Sequence, residues 1–225
     1  MTLPHVDILN IVFQMIAFVF AISVHEAAHA WMANLCGDPT ARMLGRITLN
    51  PAKHVDPVGT LLLPLVAMVT GMKVLGWGKP TPVDPSNFRH HVRDDILTSV
   101  VGPVSNLAVA TVAVLALGLI KKVSPLGEQI VFGQAAGNNS FLVPLCLLLY
   151  ETMVVNVVLA VFNVIPVPPL DGSHVLRHFL PPQALRVYDT VGMFGLFILV
   201  FWGGALLSRL ISPVLGVFIA ILLKI

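Results

Sequence analysis

Two histidines and a glutamate, His25-Glu26-Ala27-Ala28-His29, stand inside an apolar run that begins near Ile8 and fades near Leu35. Ionisable groups are expensive there: in a bilayer each costs about 2.5 to 3.5 kcal/mol at the centre of a helix on insertion scales. A divalent metal is the partner this trio suits. On a helix, residues i and i+4 share one face, so both imidazoles can reach a single zinc ion, at about 2.0 to 2.1 Å each. Glu26 stands beside the pair, where it can take a proton from water activated by the metal. The competing reading is a structural pair of histidines hydrogen-bonded to neighbouring helices. The apolar setting weighs against it, because unpaired polar groups cost most there.

Catalytic zinc keeps three protein ligands and one open position, so a third ligand must come from elsewhere. Asp171 is the best candidate. It closes the stretch Asn163-Val164-Ile165-Pro166-Val167-Pro168-Pro169-Leu170-Asp171-Gly172, whose prolines free backbone groups and can turn a side chain inward. Gly172 permits a φ that other residues resist. Asp171 also reads as the N-cap of a helix over Ser173 to Phe179, which is compatible with ligation. Asn106 and Asn163 are amides in apolar spans, either interhelical glue or holders of the substrate backbone or oxyanion. His54 lies where the chain re-enters the apolar region, as an oxyanion donor or a satisfied interfacial histidine. His174 and His178 repeat the i, i+4 spacing, but they lack a glutamate between them and face a polar connection, so a second metal site is disfavoured. Water must reach the site, so a polar channel near His25 and Asp171 is expected.

The elements that must position these groups are membrane spans. Of 225 residues, 56% are hydrophobic and 11% charged, and mean hydropathy is +0.89; a soluble domain carries about 25% charged residues. The composition describes an all-α polytopic membrane protein with one transmembrane domain over 1–225. The net charge of +2 comes without any basic run to hold a phosphate backbone, so no nucleic-acid partner is expected. Cys36 and Cys146 read as buried small hydrophobes without a disulfide. No Lys or Arg precedes Arg42, so the first run lacks the basic region of a cleavable signal peptide and should stay in place.

Spans are expected over Ile8–Leu35, Ile96–Ile120, Leu142–Ile165, Val187–Leu207 and Leu210–Leu223, the last split by Pro213. Val58–Val74 is apolar but broken by Pro64 and Gly71, and it runs into Gly76-Trp77-Gly78-Lys79-Pro80-Thr81-Pro82-Val83, which cannot be a regular helix. The expectation is five to six transmembrane helices with a re-entrant or extended segment near 58–83. Gly76 to Val83 is either an ordinary loop or a strand edge offered to an unwound substrate. Basic residues gather after the first span (Arg42, Arg46, Lys53), before the Gly102 span (Lys79, Arg89, Arg93) and after Asp171 (Arg177, Arg186). By the positive-inside rule these connections face the cytoplasm; Lys121 and Lys122 fall outside.

HEAAH in one span and NVIPVPPLDG in a later one resemble the site-2 protease family of intramembrane zinc metalloproteases. Gly102-Pro103-Val104-Ser105-Asn106 is similar to that family's GPxxN segment. The stretch from Thr48 to Thr60 and Gly76-Trp77-Gly78-Lys79-Pro80 resemble signatures of its small prokaryotic members. Ser173 and His174 depart from the Gly and Arg often found after the aspartate-glycine pair. The resemblance implies one zinc per chain, held by His25, His29 and Asp171, with Glu26 as general base and acid. It also implies a minimal core without a PDZ domain, in a prokaryotic plasma or inner membrane, with the site toward the cytoplasm. Its substrates would be membrane proteins with transmembrane segments. The rival from another class is a non-enzymatic membrane metal-binding or transport protein, which would need Glu151 and Asn156 along a polar path. A prenyl-type membrane protease is a third reading, against which the Leu170-Asp171-Gly172 segment argues. Oligomeric state is not legible.

Overall fold

The computed structural model describes residues 8–70, 76–131 and 140–225, and among them the structure is helical with no strand. α1 (Ile8–Cys36) leads into a single turn, α2 (Thr40–Met43). Asp56 then caps a π-turn over Pro57–Leu62, accepting from the amides of Val58 at 3.0 Å and Gly59 at 2.6 Å. The chain continues as α3 (Leu63–Thr70). After an extended passage over 76–83 come α4 (His91–Val123), α5 (Pro125–Val131), α6 (Leu142–Val164), α7 (Asp171–Arg177), α8 (Pro182–Phe201) and α9 (Gly204–Lys224).

At 1.5 Å per residue, α1, α4, α6 and α9 are each about 31 to 50 Å long, enough for the roughly 30 Å hydrocarbon core of a bilayer. Among the described residues these four are the helices long and apolar enough to cross, and α8, bent by 54° near its middle, makes a fifth if its two halves are one span. The expected five to six therefore meets the structure only at its lower end. The difference lies at 57–70. The described part of that run, Pro57–Thr70, is 14 residues long, about 21 Å of helix, less than the hydrocarbon core; its expected end, 71–74, lies outside the described residues.

α4 and α6 form the centre, with α1 and α9 packed against them. Ala110, Ala113, Val114 and Leu117 of α4 meet Cys146, Met153 and Val157 of α6 and Phe218 and Leu222 of α9. Small residues let the backbones approach, which matters in lipid because packing rather than water exclusion holds helices together. Lys121 caps α9, donating to the carbonyls of Leu222 and Leu223 at 3.1 and 2.9 Å. Both cysteines are buried and free. α8 lies along the Ile165–Leu170 segment: Tyr188 donates to the Pro166 carbonyl at 3.0 Å, and Leu199 packs with Ile165 and Leu170.

Asp38 fastens the end of α1 to the far end of the extended passage. It is fully buried and accepts from the Thr40 amide and hydroxyl, the Asp84 amide at 2.8 Å and the Asn87 side chain at 3.0 Å. Burial alone would raise its pKa; the bonds from Thr40, Asp84 and Asn87 outweigh burial and hold the carboxylate below its ordinary range. A depressed carboxylate stabilises the fold above the unfolded value, about 3.9, and that contribution is lost as the pH falls toward the folded value. Asp38→Ala should lower stability by about 2 kcal/mol or more, read by thermal unfolding in detergent. Asp38→Asn should lack the part of the wild-type loss that appears below about pH 4.

Candidate metal centre

α1 turns His25 and His29 toward α4. The face of α4 that meets them carries Thr98, Gly102 and Asn106, spaced i, i+4, i+8 and so stacked on one side. The His25 Nδ1–H donates to Asn106 Oδ1 at 2.7 Å, and the His29 Nδ1–H donates to the Thr98 carbonyl at 2.6 Å. Gly102 lies between them because nothing larger fits: a Cβ there would stand 2.5 Å from His29 Nε2 and 2.6 Å from His25 Cε1.

The hydrogen bonds fix the tautomers. The Thr152 carbonyl can only accept, so the Asn156 Nδ2 faces it, at 2.8 Å. That turns Asn156 Oδ1 toward the Asn106 Nδ2, also at 2.8 Å, while the same Nδ2 donates to the Ala21 carbonyl at 3.2 Å. Asn106 therefore presents oxygen to His25, which puts the His25 proton on Nδ1. Thr98 does the same for His29. Each Nε2 is left with a lone pair, and the two Nε2 atoms face one another at 3.0 Å.

Asp171 joins them from the start of α7. Its Oδ2 lies 3.2 Å from His25 Nε2 and its Oδ1 lies 3.4 Å from His29 Nε2. Oδ2 is buried with no hydrogen-bond partner among the described residues. One ligand atom from each of the three residues lies within 4.8 Å of the other two. Two lone pairs and a carboxylate facing one point repel unless a cation lies between them, and two nitrogens with one oxygen are a donor set that zinc accepts. Gly172 has an ordinary helical φ rather than an unusual one; what demands glycine is space, since a Cβ would strike the Val164 carbonyl. α7 can thus start against the end of α6, which sets the place of Asp171.

Glu26 points to the other side, at the extended passage. Its Oε2 accepts from the Thr81 amide at 2.8 Å, and its carbonyl accepts from the Thr81 hydroxyl at 3.0 Å. Among the described residues the passage is bonded along one edge. Trp77 N–H donates to the Gly59 carbonyl at 3.1 Å and Lys79 N–H to the His54 carbonyl at 2.7 Å, while the Trp77 carbonyl accepts from the Thr60 hydroxyl at 2.7 Å. Gly78 lies flat on α1, where a Cβ would stand 2.6 Å from Ile22 Cγ2.

The remaining candidates divide. Both donor capacities of the Asn106 amide are committed to Ala21 and Asn156, which leaves it no proton for an oxyanion. His54 is fully buried, and its Nε2–H donates to the Thr48 carbonyl at 2.8 Å. Burial pushes the imidazole pKa down, with Arg46 adding to it, so the neutral ring keeps only a lone pair at Nδ1 and cannot donate to an oxyanion either. Asn163 donates back to the Leu159 carbonyl of its own helix at 3.0 Å and has a second amide proton. His174 and His178 both face Asp95, at 3.6 and 2.7 Å, and the only metal-like group among the described residues is the His25, His29, Asp171 trio. Glu151 accepts from Gln14 at 3.5 Å and Asn156 is tied between Asn106 and Thr152, so the residues a transport path would need are engaged in helix contacts. A cavity of about 310 Å³ opens beside Asp171, walled mainly by apolar side chains such as Val100, Pro103, Val175 and Phe179. The Thr98 carbonyl and Arg46 carry no motif; a carbonyl is invisible in sequence, and Arg46 reads only as one basic loop residue.

Residues 13–202 match the sequence profile of peptidase family M50. The chain belongs to that family. YwhC of Bacillus subtilis, a candidate zinc metalloprotease by name, is 35% identical to this M50 peptidase over 168 residues, covering 74% of this chain and 68% of the relative. Two candidate zinc metalloproteases named Rip2 also align. The one from Mycolicibacterium smegmatis is 28% identical over 186 residues, covering 81% of this chain and 63% of the relative. The one from Mycobacterium tuberculosis is 29% identical over 183 residues, covering 81% and 62%. The chain thus spans roughly two thirds of the length of these relatives. No solved structure matches it. Family and apolar helices together make it a multi-pass membrane zinc metalloprotease.

The tight contact at Gly102 gives a direct test. Gly102→Ala should force the imidazoles apart and lower zinc affinity about tenfold or more, read as metal content against a chelator series. Gly216→Ala, at a position with no atom within 4 Å of the added Cβ, should leave metal content unchanged.

Proposed function

We propose that this M50 peptidase hydrolyses peptide bonds within transmembrane segments of membrane proteins, with one zinc held by His25, His29 and Asp171 and with Glu26 as general base and acid. The observation that carries the reading is the convergence of two Nε2 lone pairs and an unpartnered Asp171 oxygen on one point. Zinc, when bound there, supplies Lewis acidity: it makes water nucleophilic near neutral pH and draws off charge from the carbonyl under attack. Glu26 takes the water's proton as the C–O bond forms and returns it to the amine nitrogen as the C–N bond breaks. Asn106 and the Thr98 carbonyl keep both imidazoles in the tautomer that leaves Nε2 free. Asn163, which has a spare amide proton, is the polar side chain best suited to meet the substrate backbone.

A substrate helix must unwind before its carbonyls can be reached. The passage over 76–83 suits that need, because its inward-facing amides at Trp77, Lys79 and Thr81 are bonded to the protein and its other edge is open to pair with an extended chain. The apolar cavity beside Asp171 suits the side chains of a transmembrane segment. Basic residues on the connections at the site's end of the bundle favour a cytoplasmic site in a prokaryotic cell membrane.

Glu26→Gln in the full chain should retain about one zinc per chain and lose cleavage of a single-span test protein whose transmembrane segment carries helix-breaking residues. Cleavage that survives in Glu26→Gln would overturn the role of Glu26; zinc content unchanged in Asp171→Ala would overturn the ligand set.

A further inference from the structure

Arg46 is buried, with 5% of its surface exposed, yet it is nobody's full ion-pair partner. Its backbone is placed by a tight return after α2. Gly45 takes a φ of +66°, in the left-handed region that favours glycine, and the Arg46 amide closes back on the Ala41 carbonyl at 2.9 Å. The side chain then runs inward between two parts of the site that are far apart in sequence. One Nη2 atom donates to the Lys79 carbonyl of the extended passage and stands 4.0 Å from Glu26 Oε2. Its Nε is buried with no partner among the described residues.

A guanidinium kept out of water for stability alone is normally met by a carboxylate in a two-pronged pair with its donors filled. This one has a single carbonyl, a carboxylate at one remove and an idle donor, which is a poor arrangement for holding a fold together. It is a good one for setting a base. Glu26 Oε2 is held by the Thr81 amide and faced by Arg46, while Oε1 has no hydrogen-bond partner among the described residues. The carboxylate is thus pinned by one oxygen and free to work with the other.

We propose that Arg46 is a positioning residue of the hydrolytic site: its guanidinium fixes Glu26 by one carboxylate oxygen and, through the Lys79 carbonyl, fixes the extended passage against the same base. The inference rests on the reading of Glu26 as the proton carrier and extends it, because one cation sets both the base and the edge along which the substrate lies. Neither the Lys79 hydrogen bond nor the Glu26 ion contact alone explains why the charge is buried at this point; together they do.

The test uses the full chain in detergent with Arg46→Gln and Arg46→Lys, and Glu26→Gln as the reference for a dead base. Arg46→Gln should retain zinc and melting temperature but lower kcat about 100-fold, the scale of loss that follows a misplacement of about 1 Å. Hydrogen exchange in a peptide covering 76–83 should rise at the same time, with no change in α4 or α6. Arg46→Lys retains the charge but cannot span both partners, so it should recover to within about tenfold of wild type. The inference is overturned if Arg46→Gln cleaves within about twofold of wild type and leaves exchange at 76–83 unmoved. It is equally overturned if both variants lose zinc and melting temperature together, which is what a purely structural arginine would do. A wild-type chain that binds zinc and cleaves nothing removes the hydrolytic reading and this one with it, whereas normal wild-type cleavage beside a dead Glu26→Gln and an unaffected Arg46→Gln removes this one alone.

Discussion

Two imidazole lone pairs 3.0 Å apart, inside a membrane protein, are the constraint on which the rest of the structure depends. Left alone, such a pair would turn a ring or bind a proton between them. The surrounding helices prevent the first by holding each Nδ1–H with an oxygen that can only accept. The hold on His25 reaches back through Asn106 and Asn156 to the Thr152 carbonyl, and so through three helices, α1, α4 and α6. A chain of oriented amides of this kind transmits direction: a carbonyl in the α6 backbone decides which nitrogen of His25 faces His29 and Asp171. The core that α4 and α6 share with α9 keeps the relay in register.

The second constraint is that unpaired backbone is not tolerated in lipid. The chain between α1 and α4 is irregular at the depth of the site, and the structure satisfies it locally. The Gly59 and His54 carbonyls, the Thr60 hydroxyl and the Glu26 carboxylate take up the groups on one edge. Its far end is locked by Asp38. The passage is therefore held as part of the protein along that edge.

Much of this was legible in the sequence. The histidine spacing specifies one face of one turn, and Asp171 stands out because three prolines and a glycine surround a lone carboxylate. The family followed from those motifs, and the extended passage from its density of Gly and Pro. What stayed hidden did so for physical reasons. The apolar run at 58–74 has the composition of a span, but its described part opens on a π-turn at Pro57–Leu62 and carries Pro64 at the start of α3, and composition does not reveal such a break. Asn106 was visible as a costly amide, but whether it faces a substrate or a histidine depends on its three partners, which no spacing encodes. The Thr98 contribution is a main-chain oxygen and leaves no letter. The importance of Gly172 was visible, while its cause was not: it answers to the Val164 carbonyl, not to its own backbone angles.

The open edge of the extended passage has an asymmetry of its own. The backbone N–H and C=O groups of 77, 79 and 81 point to the bonded edge and those of 78, 80 and 82 to the other, since they alternate along an extended chain; two of those three are Pro80 and Pro82, which have no amide hydrogen. A visiting strand therefore finds carbonyls to bind but a single N–H, that of Gly78, to bind it in return. Sheet growth from this rim is starved of donors, so two copies cannot zip together along it. If a substrate strand lies here as proposed, the outward carbonyls can accept its amides while only Gly78 can donate in return, and so one-sided a grip would choose among clients by how readily each surrenders its helix, with little regard for the letters it carries.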